Sequence, residues 1–96
     1  MQDEFSVPEA APCVQGHFPG APVVPGAWLL ARADAVLRQA YPGWRVSSFT
    51  KVKFLAPLRP DECARIERDD RDWPRVTLRI IGPSGPVLGA LASLVR

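Results

Sequence analysis

One segment of this sequence reads as a long helix, and breakers bracket it. Pro25-Gly26 opens it and Pro42-Gly43 stops it. Between them Leu29, Ala33, Val36, Leu37 and Ala40 recur at helical spacing and mark a core-facing stripe, flanked by Trp28 and Leu30. After Gly43 the pattern changes to a period of two. A chain with one amphipathic helix followed by strands must bury that helix against an antiparallel sheet.

The strands can be placed by alternation and turn residues. In residues 46–54, Val46, Ser48, Thr50, Val52 and Phe54 fall on one face, with Ser47, Phe49, Lys51 and Lys53 on the other. Pro57 and Pro60 then interrupt. Residues 64–68 alternate again, 69–72 form a charged hairpin loop, 76–80 a strand, 83–85 a turn and 87–95 the last strand. Residues 4–8 can begin a short first strand. Residues 9–24, rich in Pro, Gly and Ala, form a long irregular segment of the kind that is usually functional in a small domain. The reading is an α+β fold of about five strands wrapped around one central helix, with residues 1–96 as a single domain. Its sheet edges would be open in a monomer, so a dimer is expected.

Bulk properties exclude several classes. The hydrophobic content of 47% is enough to build a core. The net charge of +2, without a basic run, argues against nucleic-acid binding. The acidic start Met1-Gln2-Asp3-Glu4 is unlike a secretory signal, and no apolar run reaches membrane-spanning length. A cytoplasmic protein with no membrane contact is the expectation. Cys13 and Cys63 lack metal or redox spacing and read as two buried free thiols. No metal and no cofactor is expected.

The most informative stretch is Gly16-His17-Phe18-Pro19-Gly20-Ala21-Pro22-Val23-Val24-Pro25-Gly26. It resembles the GHFPGxPxxPG signature of the beta-hydroxyacyl carrier-protein dehydratases of fatty-acid synthesis, the FabZ/FabA type. It is also similar to the ApeI-like dehydratases of aryl-polyene pigment clusters. Every fixed position is present. A second stretch, Lys51-Val52-Lys53-Phe54-Leu55-Ala56-Pro57-Leu58-Arg59-Pro60, resembles the family's KVKFxxPxxP strand and turn. The resemblance covers most of the chain from about Val7 onward. It implies a hotdog fold, dimeric, with active sites at the dimer interface.

The family reaction removes water from a 3-hydroxyacyl thioester on an acyl carrier protein. The resemblance assigns the base that takes the alpha proton to His17, the chain's one histidine, whose pKa range suits that task. It assigns to Gly26 the backbone N–H that stabilises charge on the thioester oxygen, aided by the helix dipole. Phe18, Pro25, Trp28 and Ala31 are candidate substrate contacts, with Trp28 either lining an acyl tunnel or packing in the core.

The family's acid is a Glu or Asp contributed across the dimer, and ungapped alignment puts Ala31 there. Asp34 is the nearest carboxylate, one turn further on, and serves either as a substitute acid or as a surface residue. Ala27, Ala31 and Ala35 form a ridge of small residues opposite the apolar stripe. Lys51, Lys53, Arg59 and Arg68 are either ordinary solvated charges or a basic patch facing an acidic carrier protein or the phosphate of its phosphopantetheine, which carries the substrate.

Three functions remain open at this level. The chain is a 3-hydroxyacyl thioester dehydratase with altered acid chemistry, in fatty-acid, polyketide or aryl-polyene pigment synthesis. Or it is a non-catalytic or half-site subunit, forming a heterodimer with a carboxylate-bearing hotdog subunit instead of a homodimer. Or it is a thioester-binding or thioesterase hotdog.

Overall fold

The structure is a computed structural model and describes residues 3–8 and 23–96. The elements run β1 (Asp3–Phe5), α1 (Gly26–Ala40), β2 (Arg45–Phe54), β3 (Ala64–Asp69), β4 (Arg75–Gly82) and β5 (Gly85–Val95). The strands form one antiparallel sheet in the order β1-β3-β4-β5-β2. The element order expected from period and breakers is the one observed.

The helix forms where the stripe and the breakers place it. Pro25 sits at the N-cap in extended conformation, one position before the first helical turn assigned to it from sequence. Its carbonyl accepts the N–H groups of Trp28 and Leu29. Leu29, Ala33, Val36 and Leu37 are buried, while Ala40, at the last turn, is only half-buried. At the far end Gly43 adopts φ 86°, a left-handed geometry that glycine enters without steric cost, and the chain turns there into β2.

Alternation in the central strands creates the surface the helix covers. Val76, Leu78 and Ile80 of β4 pair with Ala92, Ala90 and Leu88 of β5, and all six are buried. Ile66 of β3 extends the Ile80–Leu88 row, and Phe5 and Ala64 close it beneath β1. One hydrophobic cluster includes these residues together with the helix stripe. The opposite face carries Arg65, Glu67, Thr77 and Arg79, with Glu67 ion-paired to Arg65 and Arg79.

β2 departs from its expected alternation. Its half-buried positions are Val46, Phe49 and Val52, a spacing of three. The cause is in the register. Val46 faces Leu94 but Ser48 faces Ser93, and Thr50 faces Leu91 but Lys53 faces Gly89. Each shift inserts one extra residue into β2, and each bulge turns the following side chains to the other face. Lys51, at the second bulge, has φ 52°. Phe49 therefore joins the core side and Thr50 does not. A third irregularity lies in β5, where Ile80 faces Leu88 and Ile81 faces Pro86. Val87 is the extra residue, and it turns inward beside Leu88.

Cys63 is exposed, contrary to the expected burial, because it precedes β3 in the segment outside the core. Cys13 lies outside the described residues. No helix among the described residues is long and apolar enough to cross a membrane.

Candidate active site

The N-terminal end of α1 opens onto an apolar cavity of about 290 Å³. Three segments build it. The approach to the helix supplies Val24, whose N–H bonds the Leu58 carbonyl at 2.8 Å, and the helix supplies Gly26 and Leu29. The end of β2 and the strand-like run after it supply Phe54 to Leu58. The β5 bulge supplies Val87, whose carbonyl also accepts the N–H groups of Leu55, at 2.8 Å, and Ala56. A second cavity of about 280 Å³ lies behind Ala56, Pro57 and Leu58, and it is more polar, with Arg59, Glu62 and Ser84 in its wall.

At Gly26 the helix lies against the Phe54 ring at the end of β2. A Cβ at that position would lie 2.7 Å from Phe54 Cζ, so only glycine leaves the aromatic ring its place. Among the described residues no side chain caps this helix end, and its first turn carries no acidic residue. The described residues leave the leading amides without a side-chain cap, and the positive end of the helix dipole lies at the cavity rim. This is an arrangement that stabilises a developing oxyanion.

The sequence-derived candidates separate. Gly26 lies in the cavity wall. Pro25 lies just before it and contributes the helix-starting carbonyl. Trp28 packs against Phe5, with ring centroids 5.5 Å apart, and against the core. Ala31 is exposed, as are Ala27 and Ala35, so the small-residue ridge does point away from the core. Asp34 forms an i,i+4 ion pair with Arg38 at 3.2 Å. His17 and Phe18 lie outside the described residues. Of the expected basic patch, Lys51, Lys53 and Arg59 are exposed, but Arg68 is not with them. It belongs to β3, separated from β2 in the sheet by β4 and β5, and its Nε donates to the Tyr41 hydroxyl. Among the described residues, no group of three His, Cys, Asp or Glu side chains could hold a metal ion.

Sequence reasoning missed Phe54, Leu55 and Val87 as wall residues. Phe54 and Leu55 are consecutive apolar residues before Pro57, and both are strongly exposed, which is a signal of a surface with a task. Val87 reaches the wall only through its bulge, which the sequence pattern does not show. A larger, open depression of about 710 Å³ lies at the β3–β4 hairpin. It is lined by charged groups, and Arg71 holds the Asp69 carboxyl below its usual range by hydrogen bonding.

A five-stranded antiparallel sheet closed over one helix is a hotdog fold, and the solved structures it matches have the same architecture. A chain of the dehydratase heterocomplex ApeI:P from Xenorhabdus doucetiae superposes with a TM-score of 0.87 at 23% identity, covering 99% of this chain and 86% of that one. An uncharacterized protein from Erwinia carotovora subsp. atroseptica gives 0.84 at 20% identity, covering 98% and 81%. In sequence, the family model described as ApeI dehydratase matches residues 1–80. The chain belongs to the ApeI-like dehydratase family. It is also 36% identical over 64 residues to the 3-hydroxyacyl-[acyl-carrier-protein] dehydratase FabZ of Thermomicrobium roseum. That match spans 58% of this chain and 43% of the relative's length.

Proposed function

We propose that this chain takes part in the dehydration of 3-hydroxyacyl thioesters carried by an acyl carrier protein, in fatty-acid, polyketide or aryl-polyene pigment synthesis. The observation that carries the reading is the apolar cavity at the N-terminus of α1, which has no side-chain cap among the described residues, with Gly26 in its wall. The acyl chain lies among Val24, Leu29 and Leu58. The thioester oxygen meets the helix-end amide at Gly26. His17 removes the alpha proton, and the hydroxyl leaves as water once an acid protonates it.

A second reading concerns the source of that acid. Asp34 is held by Arg38 on the helix surface, and Ala31 offers no proton. Both facts favour a half-site subunit, with the carboxylate supplied by a partner hotdog chain across the β2 edge, which is unpaired on one side among the described residues. The family relative in a dehydratase heterocomplex supports the same arrangement.

The test is to incubate the purified chain with a 3-hydroxyacyl carrier protein and follow the mass loss of one water, with His17→Ala as control. Dehydration by the chain alone, lost in the control, supports a self-sufficient enzyme. Dehydration only after adding a homologous subunit with Glu or Asp at the position of Ala31 supports the half-site. Release of free thiol in place of dehydration points to a thioesterase and sinks both.

A further inference from the structure

Two described segments flank residues 9–22, the stretch that carries His17, and both are tied to the same short run between β2 and β3. On one side the Val7 carbonyl accepts the N–H of Asp61 at 2.8 Å. On the other, Val24 donates its N–H to the Leu58 carbonyl, also at 2.8 Å. Only Arg59 and Pro60 separate the two anchoring residues. Val7, Val24 and Leu58 are buried and belong to the one core cluster. The chain therefore leaves the core before His17 and re-enters it afterwards at neighbouring points. Two fixed ends limit how far a side chain between them can stray.

The anchor at Asp61 depends on a particular turn. The Glu62 N–H bonds the Arg59 carbonyl at 3.3 Å, and the Glu62 carboxylate accepts the Arg59 N–H at 2.7 Å. Pro60 and Asp61 are thus the two central residues of a β-turn, and Asp61 has φ 66°. This is the pattern of a type II turn, whose second central position has a positive φ and favours glycine. Type II differs from type I by a flip of the peptide between the two central residues, and that peptide carries the Asp61 N–H. A residue that resists the left-handed region favours type I, and the flip turns the N–H away from Val7.

We propose that Asp61 is a positioning residue: its left-handed backbone holds its N–H on Val7 and so fixes one end of the stretch that presents His17. Its side chain is exposed, and the backbone is the working part. The other end runs through Val24 into α1, so the same short run of chain sets His17 against Gly26. This rests on the reading of His17 as the base, and it adds what holds that base in place.

The experiment compares wild type, Asp61→Gly, Asp61→Val and, as a control destabilised elsewhere, Trp73→Ala. His17 is the chain's one histidine, so NMR follows its ring protons alone through a pH titration. Turnover of a 3-hydroxyacyl carrier protein is measured on the same proteins, with the completing subunit where one is needed. Asp61→Gly is expected to keep the His17 resonances, their titration midpoint and kcat. Asp61→Val is expected to move the resonances toward those of an unstructured peptide and to lower kcat by up to about a hundredfold, with KM little changed. An Asp61→Val protein that matches wild type overturns the proposal, as do wild-type resonances already at unstructured-peptide values. Equal losses in Asp61→Gly and Asp61→Val overturn it too, because the carboxylate is then what matters. The same shift in Trp73→Ala reduces the effect to general destabilisation and has the same force. If no protein turns over while the resonances move as expected, the anchor stands and the catalytic reading of His17 falls.

Discussion

The two ends of α1 are finished in opposite ways. At the C-terminal end the chain closes on itself. Tyr41, Trp44 and Trp73 pack ring to ring, with centroid separations of 4.6 Å for Tyr41–Trp73 and 4.9 Å for Trp44–Trp73. Guanidinium groups of Arg68 and Arg96 lie over Tyr41 and Trp44. The Tyr41 hydroxyl donates to Asp70 at 2.8 Å, and its backbone N–H caps the helix through the Leu37 carbonyl. At the N-terminal end the described residues give a glycine, no side-chain cap, a cavity and two exposed apolar side chains. Aromatic area and satisfied polar groups are concentrated where nothing needs to enter. No comparable cluster among the described residues closes the end with amides to offer. Among the described residues, the helix is anchored at one end and meets a cavity at the other.

The comparison can be broken from either side. The largest effect is expected at the open end. Ala31→Glu supplies the carboxyl that the proposal draws from a partner chain, so that two copies of the variant can complete each other's sites, and dehydration by the variant without another subunit should rise about a hundredfold, the scale of one positioned acid or base. Turnover that stays at the wild-type level would show that the missing group is not what limits the site.

Next comes the closed end. Trp73 is 39% exposed, so Trp73→Ala should cost about 2 kcal/mol of stability, less than a fully buried aromatic, while leaving binding of an unreactive octyl-pantetheine thioether at the cavity intact. Chemical denaturation with and without ligand checks this. Loss of binding in parallel with stability would mean that the two ends are not independent.

A smaller effect separates the same end by pH. Burial, and then the hydrogen bond to Asp70, raises the Tyr41 pKa above its ordinary value of 10.0, against the opposing influence of Arg68. The unfolded chain therefore ionises first. The contribution is fully present below pH 10.0 and is lost as pH rises from there through the folded-state pKa. Tyr41→Phe should remove that part of the alkaline destabilisation and cost about 1 kcal/mol at neutral pH. Melting curves that still fall equally steeply above the phenol's ordinary range would reject it.

The smallest effect is at Asp34. Its pair with Arg38 is solvent-facing, so Asp34→Ala should change stability by about 0.5 kcal/mol or less. It should also leave dehydration unchanged. A steep loss of turnover would return Asp34 to the site as its acid.

The helix and most strands were legible because their signals are local. Pro25-Gly26, the Leu29–Leu37 stripe and the alternation of Val76, Leu78 and Ile80 each depend on neighbours a few residues away. The face of β2 was not legible, because the bulges beside Ser47 and Lys51 are set by pairing with β5, a segment some forty residues distant. Cys63 was misjudged for a related reason: its composition says buried, while its place before β3 puts it outside. Gly26 was found by motif, and its reason is tertiary, in the ring of Phe54. The aromatic lock at the other end joins residues 41, 44, 68, 73 and 96, a spacing that no periodicity reveals.

The bulges in β2 have a consequence for the company this chain can keep. A straight, unpaired edge strand is a template that any extended segment can copy, and so invites aggregation. Ten residues interrupted by two inserted ones offer no such regular row of donors and acceptors. An unrelated strand laid along it falls out of step within a few residues. A strand whose own irregularities fall in the complementary places stays in step along the whole length. The fault in the pleat thus works like the cuts on a key, leaving the edge open to few partners and closed to the crowd.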